Sequence, residues 1–363
     1  MIALALSGGG SRAIAFHLGC LRALSDRGVL DRVSVISAVS GGAVIAALFG
    51  YKDRSFDEFD RAVTGLLRVG LQRAAFQHLL SPGLLARLAM TNLISRPAAA
   101  AASIIGLAPP LRRWASRTDA LERALGDHLG DLEVSQVSRP GLDVIFNACE
   151  LRTGTAFRFG NRRSGNWRLG ELKENKVALA HAVACSAAYP MLLPAVDRVH
   201  TFVKKSETKR ERVVLTDGGV YDNLGITCIE PGRNENFNLH VYRPDYIICC
   251  HAGYGQFSGK NIPFSFYSRI ATSFESVFRK AQDAAVNRLH MHVQAGSIRG
   301  FILPYLGQQD HALPIELPDL VTRDEVVGYP TDFAAMSDEN IRRLTARGEQ
   351  LSRILLRHYC PEI

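Results

Sequence analysis

The chain lacks any CxxC pair, and its seven cysteines are an odd number, scattered except for the adjacent Cys249 and Cys250 in an apolar run. That excludes a disulfide-framed secreted module and a zinc ribbon, and it favours reduced thiols in a cytoplasmic setting. No segment reaches the roughly 20 apolar residues of a spanning helix. The opening MIALALSGGG has no cationic stretch before its short apolar run, so it does not read as a signal peptide. Disorder is also excluded, because 47% of the 363 residues are hydrophobic and only 21% charged. No internal repeat is present. The reading is of a soluble globular protein.

Acidic residues are scarce in one region. Between Arg61 and Arg123, nine arginines stand against only Asp119 and Glu122, with no lysine, so this stretch carries +7 of the net +8. It is also rich in Leu, Ala and Ile. One reading is a helical insert with solvated arginines. The other is an amphipathic surface for anionic lipid, where each basic residue near the interface adds ~1 kcal/mol. Nucleic acid is not expected as a partner. One Trp and one Phe in the stretch make no stacking platform, and neither an RNP-like nor a helix-turn-helix signature is present.

The first 50 residues read as a βαβα unit. Residues 2–6 (IALAL) form a short strand, Ile14, Phe16, Leu18, Leu21 and Leu24 recur at helical spacing, and Gly28 stops that helix. A second strand covers Val33 to Ile36, and a helix runs from Gly41 to Phe49. Continuous apolar strands alternating with helices predict an α/β fold with a mainly parallel central sheet flanked by helices. Residues 56–130 read as a helical, arginine-rich insert broken at Pro82-Gly83, Pro97 and Pro109-Pro110, covering the active-site edge of a single 1–363 domain. Strand character returns at 142–151, 155–160, 212–217 and 245–253, and a helix ends near Pro190. The stretch 204–212 (KKSETKRER) reads as a solvated hairpin tip. Residues 337–359 form a C-terminal helix capped by Ser337.

Three glycine-rich turns each follow an apolar strand. In Ser7-Gly8-Gly9-Gly10-Ser11-Arg12-Ala13 the glycines let consecutive N–H groups point outward beside a helix N-terminus, which suits an anion. Gly8-x-Gly10-x-x-Ala13 also fits a relaxed dinucleotide fingerprint. That reading needs an acid at the end of strand two, where the chain instead has Ser37-Ala38-Val39-Ser40-Gly41-Gly42. This second turn has the pattern of a nucleophile elbow, in which a strained serine projects from the sheet and the next N–H contributes to an oxyanion pocket. A plain strand–turn–helix joint fits the pentapeptide as well. The third turn, Thr216-Asp217-Gly218-Gly219, puts a carboxylate at a strand's C-terminal end, where open α/β sheets bind ligands. An ordinary Asp-Gly turn is the alternative.

In this order, with the block Cys185-Ser186-Ala187-Ala188-Tyr189-Pro190 and Pro194 before Asp217, the turns resemble the patatin-like phospholipase family over about residues 2 to 225. Ala13 stands where the family usually has glycine, and Ala38 is the first residue of the elbow. The resemblance implies a Ser–Asp dyad without histidine. Ser40 is the nucleophile and Asp217 the general base. Gly8, Gly9, Gly10, Arg12 and Gly41 form the oxyanion hole, supported by Gly42, Gly218 and Gly219. It implies hydrolysis of phospholipid or acyl-lipid esters, peripheral contact with an anionic membrane surface, and neither cofactor nor metal. It also leaves room for a homo-oligomer, or for a small nucleotide activator read by a basic pocket of the insert or by Arg279, Lys280 and Arg288, as in membrane-degrading bacterial effectors of the family. A third alternative is a catalytically idle lipid-binding protein. His251, after the strand YIICC, is the candidate for a competing Ser–His–Asp triad. His17 and His181 read as packed histidines, and His290-x-His292 lacks a third metal ligand.

Overall fold

The computed structural model describes residues 1–255, 259 and 262–363. Ten strands form one sheet: β1 (Ile2–Leu6), β2 (Val33–Ala38), β3 (Asp143–Glu150), β4 (Thr155–Gly160), β5 (Ser164–Asn166), β6 (Gly170–Leu172), β7 (Val196–Lys204), β8 (Glu207–Asp217), β9 (Tyr246–Cys250) and β10 (Gly300–Ile302). Their order is β10-β9-β1-β2-β3-β4-β5-β6-β7-β8, with a further pairing of β8 back onto β3.

The expectation of a mainly parallel sheet is corrected. Only the β10-β9-β1-β2-β3 half is parallel, and every pairing from β3 through β8 is antiparallel. The parallel strands are the continuous apolar runs, buried on both faces by helices. The antiparallel ones include three-residue pieces such as Ser164–Asn166, too short and polar to register as strands in the sequence. Because β8 returns to β3, β3 to β8 close into a ring.

That closure positions the site. The near half of β3 pairs with β2, ending at Ala38 opposite Phe146. The far half pairs along the same edge with β8, ending at Asp217 opposite Ala148. β2 and β8 therefore run toward each other along one edge of β3, and their C-terminal ends meet across Asn147.

Residues 56–130 are mostly helical. The break at Pro82-Gly83 is present, since one helix ends at Leu79 and Pro82 starts the next, Pro82–Met90, but the break at Pro97 is not. Pro97 lies just inside Arg96–Ile104, which follows directly from a π-helical turn at Thr91–Ser95. A proline removes one backbone donor and crowds the carbonyl four residues back, and the wider π turn accommodates this without ending the helix. The insert is tied to the core by the two acids of its arginine-rich stretch. Asp119 pairs with Arg198 (2.6 Å) and Glu122 with His181 (2.9 Å). Arg212, held by Asp197 (2.6 Å), also donates to the carbonyls of Pro109 and Leu111.

The C-terminal helix Asp338–Tyr359 is capped by Ser337 and packs on the helix Gly10–Asp26. The contact is close enough that a Cβ at Gly19 would strike the Thr345 carbonyl. All seven cysteines are free and buried. Among the described residues, no helix is long and apolar enough to cross a membrane.

Candidate active site

Ser40 caps the helix Gly41–Gly50 with φ 51° and ψ −117°, a backbone conformation that costs a non-glycine residue roughly 1–3 kcal/mol. The surroundings impose it. The Ser40 N–H donates to Ser186 Oγ (3.0 Å), Val39 N–H to the Leu6 carbonyl (3.0 Å), and Gly42 N–H to the Val39 carbonyl (2.8 Å). No side chain fits beside it, since a Cβ on Gly41 would lie 2.2 Å from the Gly10 carbonyl oxygen. The elbow thus rests directly on the first glycine loop.

That loop opens the helix Gly10–Asp26, with Gly9 as its cap at φ 145°. Two helix N-termini therefore converge on Ser40, each carrying partial positive charge and donors without intrahelical acceptors. Among the described residues nothing accepts from the N–H groups of Gly9, Gly10 or Gly41. Gly8 differs from its expected role: its N–H is taken by the Asn223 carbonyl (3.2 Å), which leaves Gly9 and Gly10 as the loop's available donors. Arg12 is a buttress behind the loop. Its guanidinium donates to the carbonyls of Ala252 (3.0 Å) and Tyr329 (3.1 Å) and stacks 3.4 Å from the Tyr254 ring centroid. Burial lowers its pKa to about 9, which leaves it cationic at neutral pH.

Asp217 is 4% exposed, and its carboxylate accepts from the Gly219 N–H (2.7 Å). Burial raises its pKa to about 7, against the opposing pull of that N–H and of the Ser40 side chain. The neighbouring backbone holds it in place. Asp217 N–H and Thr216 Oγ1 both donate to the Ala188 carbonyl, at 3.0 and 2.8 Å, and a Cβ at Gly218 would meet the Asn147 carbonyl at 2.2 Å. The small-residue block before Pro190 thus bridges the pair, with Ser186 on the Ser40 side and Ala188 on the Asp217 side. Asn147, buried at the junction, donates to Ser37 Oγ (2.9 Å) and the Ala38 carbonyl (3.1 Å). Sequence reading gave no role to Asn147, Ser186 or Asn223. For Ser186 and Asn223 the only signal was position next to recognisable motifs, and Asn147, in mid-strand, gave none.

Sequence and geometry here agree with a scan of known families: the patatin-like phospholipase profile matches residues 4–227. The chain belongs to the patatin-like phospholipase family. No curated protein sequence matches it significantly. Among solved structures it is similar to human GIVD cytosolic phospholipase A2, at TM-score 0.53 and 14% identity over 99% of this chain and 60% of that one. The same human enzyme with methyl gamma-linolenyl fluorophosphonate and terbium chloride gives TM-score 0.52 and 12% identity, over 98% and 57%. The chain thus spans about 60% of the human enzyme's length, and the likeness is one of fold.

In this patatin-like chain no histidine hydrogen-bonds Ser40 or Asp217 among the described residues, although His251 lines the same cavity. His251 stacks on Tyr305 with ring centroids 4.4 Å apart, and burial lowers its pKa to about 4, so it is neutral. His17 contacts the Cys250 carbonyl (3.1 Å). His181 lies between Glu122 and Cys185, and His290 packs edge-on against Phe301. Of the basic residues suggested for a nucleotide, Arg279 pairs with Glu275 (3.0 Å) and Arg288 with Glu230 (2.8 Å).

Ser40 and Asp217 open onto a cavity of about 880 Å³. Its apolar wall comes from the insert and the Pro190 loop, through Phe76, Leu79, Leu121, Leu192 and Leu193. The opposite wall is a helix that the sequence reading did not delimit, Phe266–Gln294, which contributes Glu275, Phe278, Arg279, Gln282 and Asp283.

Proposed function

We propose that the protein hydrolyses carboxylic ester bonds of phospholipids through an acyl-enzyme on Ser40. The observation that carries this reading is that Ser40 shares a cavity wall with the buried Asp217 carboxylate, whose pKa burial raises to about 7 and on which the Ser40 side chain acts directly. A serine needs an adjacent base to become nucleophilic, and a base works best with its pKa near the working pH. Ser40 Oγ attacks the ester carbonyl while its proton passes to Asp217. The oxyanion that forms is met by the N–H groups of Gly9, Gly10 and Gly41, and a donor of this kind contributes ~10²–10³ in kcat. Protonated Asp217 then gives its proton to the departing lysolipid alcohol. In the second half, Asp217 takes a proton from water, which attacks the acyl-enzyme and frees the fatty acid and Ser40.

The apolar wall suits the acyl chain, with the insert's arginines turned toward an anionic membrane surface. The similar human phospholipase was crystallised with a fluorophosphonate, and that chemistry supplies the test. A fluorophosphonate probe should label the wild type and leave Ser40→Ala unlabelled. Equal labelling of both would remove Ser40 as the nucleophile.

A further inference from the structure

The helix Phe266–Gln294 carries apolar residues on two faces. Of its 29 residues only Ala285 and Leu289 are buried, so the N-terminal half stands clear of the core. At 100° per residue, Phe266, Ile270 and Val277 fall within about 40° of one another on one face. These side chains are 63%, 53% and 71% exposed. The opposite face carries Glu275, Arg279 and Gln282, all lining the cavity. A surface helix of a globular protein turns one apolar stripe inward; here Phe274, Phe278, Ala285 and Leu289 make that stripe, and Phe266, Ile270 and Val277 add a second one on the outside. Just before it, Ile262 and Phe264 are 87% and 90% exposed, and Tyr267 is 83% exposed. Contiguous apolar surface of this kind marks a docking face.

The insert, which lines the same cavity through Phe76, Leu79 and Leu121, also exposes apolar side chains. Leu93, Ile104, Ile105 and Leu107 are 75%, 84%, 69% and 62% exposed. The sequence from Arg61 to Thr118 contains no acid, and the two acids that follow, Asp119 and Glu122, are engaged by Arg198 and His181 of the core. Phe76 and Leu192, 60% and 53% exposed, continue the apolar rim at the cavity.

We propose that the N-terminal half of the helix Phe266–Gln294, with Ile262 and Phe264, is a second membrane anchor that seats the cavity mouth on an anionic bilayer between itself and the insert. The choice of a bilayer rests on the lipid-hydrolase reading. A second copy of the chain is the poorer occupant, because symmetric pairing of this face would bring two acid-free arginine surfaces together. On a bilayer the same arginines meet negative charge while the aromatic and aliphatic side chains enter the acyl boundary. A lipid could then pass from the membrane into the cavity along a continuous apolar path.

The test is the triple variant Phe266→Ser/Ile270→Ser/Val277→Ser, none of whose residues lines the cavity. Cosedimentation with phosphatidylcholine–phosphatidylglycerol vesicles should weaken by about tenfold or more, the scale of removing three apolar side chains from the boundary. Thermal unfolding and hydrolysis of a short soluble ester should stay at wild-type values. In parallel, Tyr267→Trp should shift its emission to the blue when vesicles are added. Unchanged cosedimentation of the triple variant, or no emission shift, overturns the proposal. So does a wild-type dimer in sedimentation velocity that the triple variant makes monomeric. A wild type that binds vesicles through these residues yet cleaves no ester sinks the hydrolase reading and leaves the anchor standing.

Discussion

The floor and the roof of the cavity follow opposite packing rules. On the floor, a Cβ added to Gly10, Gly41, Gly42 or Gly218 would lie 2.2–2.3 Å from a backbone oxygen of a neighbouring segment. The elbow is therefore held by the first glycine loop and by β1, and the Asp217 turn by β3, so that Ser40 keeps a backbone conformation it would not adopt alone. In the roof, the same addition at Gly65, Gly83 or Gly126 meets nothing within 4 Å. The insert's distal part has a small satellite core of Leu84, Ala115 and Ala120, and its large apolar side chains point outward. Interlocked backbone suits chemistry that requires fixed donors, and an open helical roof suits contact with a surface of no fixed shape.

The largest expected effect is on the floor. Asp217→Asn should lower kcat/KM on a soluble ester by ~10²–10⁴ by removing the base. The wild-type rate should itself rise with pH through about 7, where Asp217 ionises, and a rate that falls from pH 6 to 8 would contradict the assignment. Stability has the opposite sign. The folded pKa of about 7 lies above the ordinary 3.8, so the fold favours the protonated acid. That contribution is complete below the unfolded value and is lost as pH rises through about 7. Asp217→Asn should therefore melt higher than wild type at alkaline pH, by a margin that shrinks on acidification. Parallel thermal melts at about pH 5 and 8 measure this.

Gly41→Ala comes next. Its methyl group would collide with the Gly10 carbonyl, and overpacking of this kind costs about 1–3 kcal/mol. It would also move two of the N–H groups assigned to the oxyanion, so kcat should fall by ~10²-fold or more. Near-normal turnover in a folded Gly41→Ala protein would show that the floor is less interlocked than its contacts imply. Weaker still is Arg112→Glu/Arg113→Glu in the roof. Both residues are exposed, and at ~1 kcal/mol per interfacial charge the pair should reduce action on anionic vesicles by about tenfold or more. The loss should shrink at high salt and be absent on a short soluble ester. Equal losses on both substrates would argue against docking by the insert.

The same contrast explains what could be read from the sequence. Ser40, Asp217 and the glycine loop were legible because strained turns demand particular residues at fixed spacings. The direction from which Asp217 arrives was not. β8 descends antiparallel onto β3, and strands as short as Ser164–Asn166 and Gly170–Leu172 leave no periodic trace of the ring that brings it there. The engaged amide of Gly8 was equally hidden, since its acceptor, Asn223, is 215 residues away along the chain. The helix Phe266–Gln294 escaped delimitation for a different reason: with apolar residues on two faces and polar ones among those facing the cavity, its pattern does not point to one core-facing stripe. Pro97 was read as a break because the rule for proline assumes α-helical geometry, which the preceding π turn relaxes.

The smallest effect separates the two regions most cleanly. Gly126 lies inside the insert helix Arg117–Leu129, where a Cβ would meet nothing within 4 Å and φ is not positive. Alanine there loses less backbone entropy on folding than glycine, so Gly126→Ala should stabilise the protein by about 0.5–1 kcal/mol. A rise of about 1 °C in melting temperature, with no change in soluble-ester turnover, is the expected result. The identical chemical change at Gly41 is expected to destabilise and inactivate. If Gly126→Ala also lowers turnover on the soluble ester, rigidity in the roof is coupled to the chemistry below, and the division between an interlocked floor and an independent roof does not hold.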